Sequence, residues 1–271
     1  MNPTTNKQAA RRAEIAYEAL HNCRLCPRNC GVDRTAGKVG YCGLDDSLRC
    51  FRELLYNGEE DDLNPSHQVY FAGCNLRCEF CTVAEWNENP GATEETNIDD
   101  LQKRIAERKR QGAGTLNLLG GEPAVSIYGI LVLLSRLDCE TTVVWNSNMY
   151  YNDIIDELTA GLVDIYLSDL KVGNNQCAEA MLGAADYLEV TKQGDGWVFL
   201  DWKQPAEGGR VSAYKIQRRQ RPEGAWQDVA TAIETESTLV DQPLKTQLEY
   251  RVIAINKSGE GSPSNTVMAV L

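Results

Sequence analysis

The stretch Gly73-Cys74-Asn75-Leu76-Arg77-Cys78-Glu79-Phe80-Cys81 places three cysteines on one short loop, with the spacing C-x3-C-x2-C. It directly follows the apolar run Val69-Tyr70-Phe71-Ala72, which predicts a strand that delivers the loop. Four cysteines satisfy a [4Fe–4S] cluster, whereas three leave one iron open to an outside ligand. The alternative is a structural zinc knuckle that lacks its fourth ligand. The spacing favours a cluster with an open iron, held by Cys74, Cys78 and Cys81.

A second motif, Leu118-Leu119-Gly120-Gly121-Glu122-Pro123, ends the apolar run that begins at Thr115. Glycines let a backbone approach a ligand closely, and a carboxylate such as that of Glu122 can bind an ammonium group. The same residues would also suit an ordinary strand-to-helix turn, because proline is common at a first helical position. Beside the cysteine loop, the motif favours ligand binding at Gly120, Gly121 and Glu122.

Strands and helices alternate between residue 67 and about residue 187. Apolar or β-branched runs predict four strands, at His67 to Gly73, Thr115 to Leu119, Thr141 to Trp145 and Val163 to Leu167. This βαβα pattern predicts parallel strands covered by helices, with ligand sites at the carboxyl ends of the strands. The motifs described above fall at those ends, as do further candidate contacts that could equally be ordinary polar loop residues: Asn146, Ser147, Asn148, Ser168, Asp169 and Lys171.

Four more cysteines precede the first predicted strand, with the spacing C-x2-C-x3-C-x11-C among turn-forming glycines: Cys23, Cys26, Cys30 and Cys42. Four thiols at these spacings predict a tetrahedral zinc site or a second iron–sulfur cluster, and the spacing does not choose between them. Cys50, Cys139 and Cys177 follow no ligand spacing, and we interpret them as semi-buried small hydrophobic residues.

With these motifs in order, residues 1–187 resemble the radical S-adenosylmethionine (SAM) proteins related to pyruvate formate-lyase activating enzyme. The resemblance is strongest to the branch with an N-terminal Cys-x-x-Cys-Pro-Arg-x-Cys-Gly segment, and Val163 to Lys171 resembles the fourth strand of that branch. It implies a [4Fe–4S] cluster on the three loop cysteines, and SAM held at the Gly-Gly-Glu-Pro motif. It also implies that a reductant such as flavodoxin or ferredoxin supplies the electron that releases a 5′-deoxyadenosyl radical, which abstracts hydrogen from the substrate. We assign no catalytic side chain.

From about residue 186 the pattern changes to short alternating strands and turns, including Trp197 to Trp202. This stretch closely resembles a fibronectin type III domain, usually a binding module or spacer. Trp202 and Tyr214 would be core aromatics, and Tyr250 a corner tyrosine whose hydroxyl bonds a nearby backbone group.

The predicted fold is therefore an α/β partial (βα) barrel of about four βα units, followed by an all-β immunoglobulin-like sandwich. The predicted domains are an N-terminal helix and cysteine-rich metal-binding segment (1–66), the partial barrel (67–187) and the fibronectin type III domain (188–271).

Members of the resembled group carry about six βα units, so the resemblance implies that this barrel is truncated. Two hypotheses follow. The first is a radical SAM enzyme, activating-enzyme-like, that acts on an unidentified substrate, with a protein or peptide as the candidate. The second is a non-catalytic iron–sulfur or zinc protein, a remnant whose fibronectin type III domain recruits a partner. Only the enzyme must show SAM-dependent changes at its cluster.

Composition and charge limit the partners and the cellular location that we expect. The net charge is −12 and no basic stripe appears, which argues against nucleic acid as a partner. The polar N-terminus lacks the apolar region of a secretory signal, and the longest apolar run, Ile130 to Leu134, is far too short to span a membrane. Ten cysteines without an export signal favour metal ligation over disulfides. We therefore expect a cytoplasmic protein that is not embedded in a membrane.

Overall fold

Four parallel strands form most of the N-terminal sheet in the computed structural model, which describes residues 3–59, 61–191, 198–205, 209–239, 242–243 and 246–270. The strands of this sheet are β1 (Cys50–Tyr56), β2 (Ser66–Phe71), β3 (Thr115–Gly120), β4 (Thr142–Ser147) and β5 (Ile165–Ser168). They lie in the order β1-β2-β3-β4-β5. Strands β2 to β5 pair in parallel, as the βαβα pattern predicts. Strand β1 was not predicted, and it pairs antiparallel with the outer edge of β2.

Helices connect and cover these strands. They are α1 (Pro3–Leu20), α2 (Ala84–Glu88), α3 (Ile98–Arg110), α4 (Ile127–Ser135), α5 (Ile154–Thr159), α6 (Asn175–Leu182) and α7 (Tyr187–Thr191). Helix α3 begins where the Asn97 side chain accepts a hydrogen bond from the backbone N–H of Asp100, which satisfies a donor of the first turn. Its apolar face buries Leu101 and Ile105 in a core that α1, α4 and the sheet share. No helix in the described part of the chain is long and apolar enough to cross a membrane.

The chain divides into two compact units, Met1–Thr191 and Lys192–Leu271. The C-terminal unit contains β6 (Val198–Asp201), β7 (Ala213–Gln220), β8 (Gln227–Ala232), β9 (Glu236–Leu239), β10 (Gln247–Asn256), β11 (Gly259–Pro263) and β12 (Val267–Val270). Strands β11, β10, β7 and β8 are neighbours in that order, β12 also pairs with β10, and β6 pairs with β9. All of these pairings are antiparallel, so an all-β second unit is confirmed. Trp197, in the predicted run, lies outside the described residues.

Aromatic residues occupy the core of the C-terminal unit. Tyr214 and Tyr250 are buried, and Trp202 is partly buried with its ring edge-on to Tyr214 at 5.3 Å between centroids. The prediction for Tyr250 was wrong in one detail, because its hydroxyl donates to the side-chain oxygen of Gln242 at 2.9 Å rather than to a backbone group. The long Gln242 side chain brings an amide acceptor into the core, where the tyrosine can reach it.

Candidate functional site

A cavity of about 310 Å³ opens at the carboxyl ends of the parallel strands. The loop after β2 contributes three thiols, the end of β3 contributes two glycines, and the ends of β4 and β5 contribute polar side chains. The sequence-predicted residues that line the cavity are Cys74, Cys78, Cys81, Gly120, Gly121, Asn146, Ser147, Asn148, Asp169 and Lys171. Parallel pairing brings these residues together because it collects the carboxyl ends of the strands at one edge.

Amide groups surround the thiols of the cysteine loop. Cys74 is buried, and its sulfur accepts from the backbone N–H of Leu76 at 3.4 Å and from the Asn148 side-chain amide at 3.6 Å. The Asn87 side-chain amide donates to the sulfur of Cys81 at 3.4 Å. Burial raises the pKa of Cys74 and Cys78, so these thiols stay protonated at neutral pH until a metal displaces the proton. The amide donors would then stabilise the thiolates.

The thiols suit an iron–sulfur cluster by their chemistry rather than by a preformed metal geometry. No group of three or more His, Cys, Asp or Glu side chains among the described residues is arranged to hold a single metal ion. A cluster of several irons holds its thiolates farther apart than a single ion does, so a cluster site requires only that three thiols line one cavity. Cys74, Cys78 and Cys81 line the same cavity, and they supply the soft donors that iron–sulfur clusters require.

The two glycines at the end of β3 are required by close contacts within the chain. Gly120 has a φ of +124°, and a Cβ there would lie 2.2 Å from the backbone nitrogen of Phe71. A Cβ on Gly121 would lie 2.0 Å from the carbonyl oxygen of Gly73 and 2.2 Å from the side-chain oxygen of Asn87. The sequence predicted close approach to a ligand, and the structure adds close approach to the cysteine loop itself.

The carboxylate of Glu122 is fully buried and connects two strand ends. One oxygen accepts from the backbone N–H of Ala124 at 3.0 Å and from the Ser147 hydroxyl at 2.7 Å. The other oxygen accepts from the backbone N–H of Asn148 at 2.9 Å. Burial raises the pKa of Glu122 to about 7, against the effect of these three hydrogen bonds. Glu122 does not line the cavity, and its contact with a bound ligand stays a prediction.

The end of β5 brings both signs of charge to the cavity. The Lys171 ammonium pairs with the carboxylate of Asp169. Burial alone would lower the pKa of Lys171, but the hydrogen bond and charge of Asp169 raise it above its usual value, so Lys171 is protonated. Sequence reasoning missed Asn87 of α2 and Tyr70 of β2, which also line the cavity. Asn87 lies on a short helix, away from the strand ends that were used to choose candidates, and Tyr70 lies within β2, one residue before that strand ends.

The N-terminal cysteines come together around a second, much smaller cavity. Cys23, Cys26, Cys30 and Cys42 all line it, and all except Cys30 are buried. Burial raises the pKa of Cys26 to about 12 and that of Cys42 above its usual value. The structure therefore brings these residues together, as their spacing predicts.

Comparison with known proteins finds a match for part of each unit. Residues 69–197 match the radical SAM superfamily, and residues 183–270 match the fibronectin type III domain. The N-terminal part of the chain is thus similar to radical SAM proteins, and the C-terminal part is similar to fibronectin type III domains.

Two curated proteins and one solved structure illustrate these similarities. The chain is 36% identical over 190 residues to the uncharacterized protein MJ0674 of Methanocaldococcus jannaschii, an alignment that covers 67% of this chain and 55% of that protein. It therefore spans about half the length of that relative. It is 32% identical over 95 residues to a 7-carboxy-7-deazaguanine synthase of Rhodopirellula baltica, covering 34% of this chain and 35% of that enzyme. The twitchin kinase region of C. elegans is 32% identical, covering 28% of this chain and 14% of that one with a TM-score of 0.28.

Proposed function

We propose that the N-terminal unit is a radical SAM enzyme in which Cys74, Cys78 and Cys81 bind a [4Fe–4S] cluster and the adjoining cavity binds SAM. The observation that supports this proposal is that the three cysteines and the Gly120-Gly121 strand end line one cavity. The match of residues 69–197 to the radical SAM superfamily agrees with it. When bound, the cluster and SAM would supply the 5′-deoxyadenosyl radical with which the family abstracts hydrogen.

The residues around the cavity suit a ligand that carries both signs of charge. SAM has an ammonium, a carboxylate and a sulfonium, and Asp169 and Lys171 present a carboxylate and an ammonium to the cavity. The side chains of Asn146 and Ser147 add groups that can hydrogen-bond ribose hydroxyls or base edges. Apolar groups of Val83 and Leu119 cover part of the wall and help to keep water from a reactive species.

An activating-enzyme-like reaction on a protein or peptide is the substrate class that we propose, with an electron from a flavodoxin or ferredoxin. The fibronectin type III domain is a protein-interaction domain, which supports a protein substrate or partner. The sequence resemblance to activating enzymes is the basis for the reaction class.

SAM cleavage after anaerobic reconstitution tests the proposal. The protein is loaded with iron and sulfide, reduced and given SAM, and 5′-deoxyadenosine is measured beside an EPR spectrum. Wild type and a Cys139→Ala control should both form product and show a SAM-dependent EPR change, because Cys139 does not line the cavity. Cys78→Ala should lose both signals.

Two results would contradict this assignment. Full iron content with an unchanged EPR spectrum in Cys78→Ala would remove Cys78 from the cluster. A wild-type cluster that neither responds to SAM nor cleaves it would favour the non-catalytic alternative.

A further inference from the structure

The four N-terminal cysteines line one small cavity. The cavity between Cys23, Cys26, Cys30 and Cys42 has a volume of about 10 Å³, against about 310 Å³ for the cavity beside Cys74. About 10 to 15 Å³ is the least that a single water molecule needs, so a four-iron cluster would fit only if the thiols moved apart, whereas a single ion needs no such space. The spacing of the cysteines leaves zinc and a second cluster open, and the size of the cavity favours zinc.

A backbone donor already faces one of the four sulfurs. The N–H of Tyr41 donates to the sulfur of Cys30 at 3.3 Å. The backbone N–H of Leu76 makes a similar contact, at 3.4 Å, with the sulfur of the cluster-loop residue Cys74. Donors placed in this way stabilise negative charge on sulfur, which is the form in which cysteine binds metals.

A buried positive charge lies beside the four cysteines and would partly balance the negative charge of a metal site there. Four thiolates around a divalent ion would leave two negative charges in a mostly buried position. The guanidinium of Arg34 is 3% exposed, and Arg34 lines the same cavity as the four cysteines. It is fixed by hydrogen bonds to the carbonyl oxygens of Asp45 and Val125, both at 2.9 Å. A buried cation held beside the thiols lowers the cost of burying their charge.

The cysteine-rich segment also supports the loop that carries the other three cysteines. The Arg28 side chain donates to the carbonyl oxygen of Asn75 at 2.9 Å. Two guanidinium groups lie over the ring of Tyr41, that of Arg28 at 4.0 Å and that of Arg77 at 4.5 Å from the ring centroid. Arg77 in turn donates to the carbonyl oxygen of Cys74 at 2.8 Å. Arg28 lies two residues after Cys26, Tyr41 directly precedes Cys42, and Arg77 belongs to the cluster loop. These contacts therefore connect the cysteine-rich segment to the cluster loop.

We propose that Cys23, Cys26, Cys30 and Cys42 form a closed tetrathiolate site for one zinc ion, and that this ion stiffens the platform on which the loop from Cys74 to Cys81 rests. The four sulfurs do not converge on a point in the part of the chain that the structure describes. Metal binding would replace the thiol protons and draw the sulfurs together, as is usual when a metal completes a small site.

A variant that lacks the cluster cysteines isolates this site. In a chain carrying Cys74→Ala, Cys78→Ala and Cys81→Ala, we expect a single bound zinc ion per chain. We also expect the absorption of a tetrahedral tetrathiolate complex when Co²⁺ replaces zinc. Binding of iron with sulfide in this variant would overturn the proposal in favour of a second cluster, and so would the absence of bound zinc and cobalt.

Removal of one ligand tests whether all four cysteines take part. Cys30 is the exposed member of the set, so Cys30→Ser is the variant least disturbed by loss of packing. We expect it to lower zinc affinity at least about tenfold and to change the cobalt spectrum, while Cys139→Ala leaves both unchanged. Unchanged affinity and spectrum in Cys30→Ser would remove Cys30 from the site. Circular dichroism shows whether each variant is folded.

Hydrogen exchange tests the role of the ion in the platform. Removing zinc from the otherwise intact protein with a chelator should speed amide exchange at least about tenfold between Arg77 and Cys81, but not in strands β7 and β10 of the C-terminal unit. Equal exchange with and without zinc would refute the platform role. Zinc binding and exchange are read without SAM cleavage, so their outcome is independent of the proposed enzymatic activity.

Discussion

Replacing Gly121 with alanine adds one methyl group at the tightest point beside the large cavity. The added Cβ would lie 2.0 Å from the carbonyl oxygen of Gly73 and 2.2 Å from the side-chain oxygen of Asn87. The carbonyl group of Gly73 belongs to the backbone and accepts the N–H of Glu122 at 2.9 Å. It cannot retreat from the methyl group without weakening that hydrogen bond and moving the adjacent Cys74.

The expected cost follows from these two contacts. Overpacking a well-filled interior costs about 1 to 3 kcal/mol, and weakening a buried backbone hydrogen bond adds about 1 kcal/mol. We therefore expect Gly121→Ala to lower the free energy of unfolding of the N-terminal unit by about 3 kcal/mol. For a unit of this size, that corresponds to a fall in melting temperature of roughly 6 to 12 °C.

Calorimetry on the whole chain measures this effect. The C-terminal unit has its own core, so its transition should stay in place and serve as an internal reference. Gly91→Ala is the matched control, because no atom outside the chain neighbours of Gly91 lies within 4 Å of an added Cβ there. If Gly121→Ala had the same melting temperature as Gly91→Ala and bound the same amount of iron, the claim that a Cβ at position 121 clashes with Gly73 and Asn87 would be refuted.

Three other substitutions have expected outcomes that thermal melts can check. Burial raises the pKa of Glu122 from 4.5 to about 7, so the Glu122 carboxyl binds more protons in the folded state than in the unfolded chain between these values. The contribution of Glu122 to stability should therefore be greatest below pH 4.5 and fall by up to about 3 kcal/mol as pH rises to 7. Glu122→Gln should abolish that fall, and equal slopes for both proteins would contradict the assignment. Trp202→Ala should lower the free energy of unfolding of the C-terminal unit by about 2 to 3 kcal/mol. This is less than the loss of a fully buried tryptophan would cost, because Trp202 is only partly buried against Tyr214. An unchanged melting temperature would exclude Trp202 from the core. Tyr250→Phe should cost about 1 kcal/mol through loss of its hydrogen bond to Gln242, and a cost near zero would argue against that bond.

The sequence predicted those parts of the structure that depend on local pattern and spacing. The runs at His67 to Gly73 and Thr115 to Leu119 predicted two strands, and their alternation with helices predicted parallel strands; the structure pairs these two strands directly. The cysteine spacing and the Gly-Gly pair then fell at the carboxyl ends of those strands. Strand β1 was missed because it lies on the edge, where its residues are only partly buried and show no clear alternation.

Side-chain direction could not be predicted in the same way. The position of Glu122 in its motif predicts contact with a ligand, and the structure adds that its carboxylate accepts hydrogen bonds from Ser147 and Asn148 on the neighbouring strand end. That choice depends on tertiary hydrogen bonds, which no local pattern records. Asn87 was missed for the same reason, because it reaches the cavity from a short helix and contacts the sulfur of Cys81.

The separate core of the C-terminal unit has a consequence for how the protein responds to oxygen. The last cysteine in the chain is Cys177, so every thiol precedes the C-terminal unit. Oxidation converts exposed thiolates to sulfenic acids and beyond, and these products are confined to the first unit. The core around Ile216 and Tyr250 contains no thiol to oxidise. Oxidation of thiols would therefore damage the N-terminal unit and leave the C-terminal core untouched, so a folded C-terminal unit says nothing about whether the thiols of the N-terminal unit are still reduced.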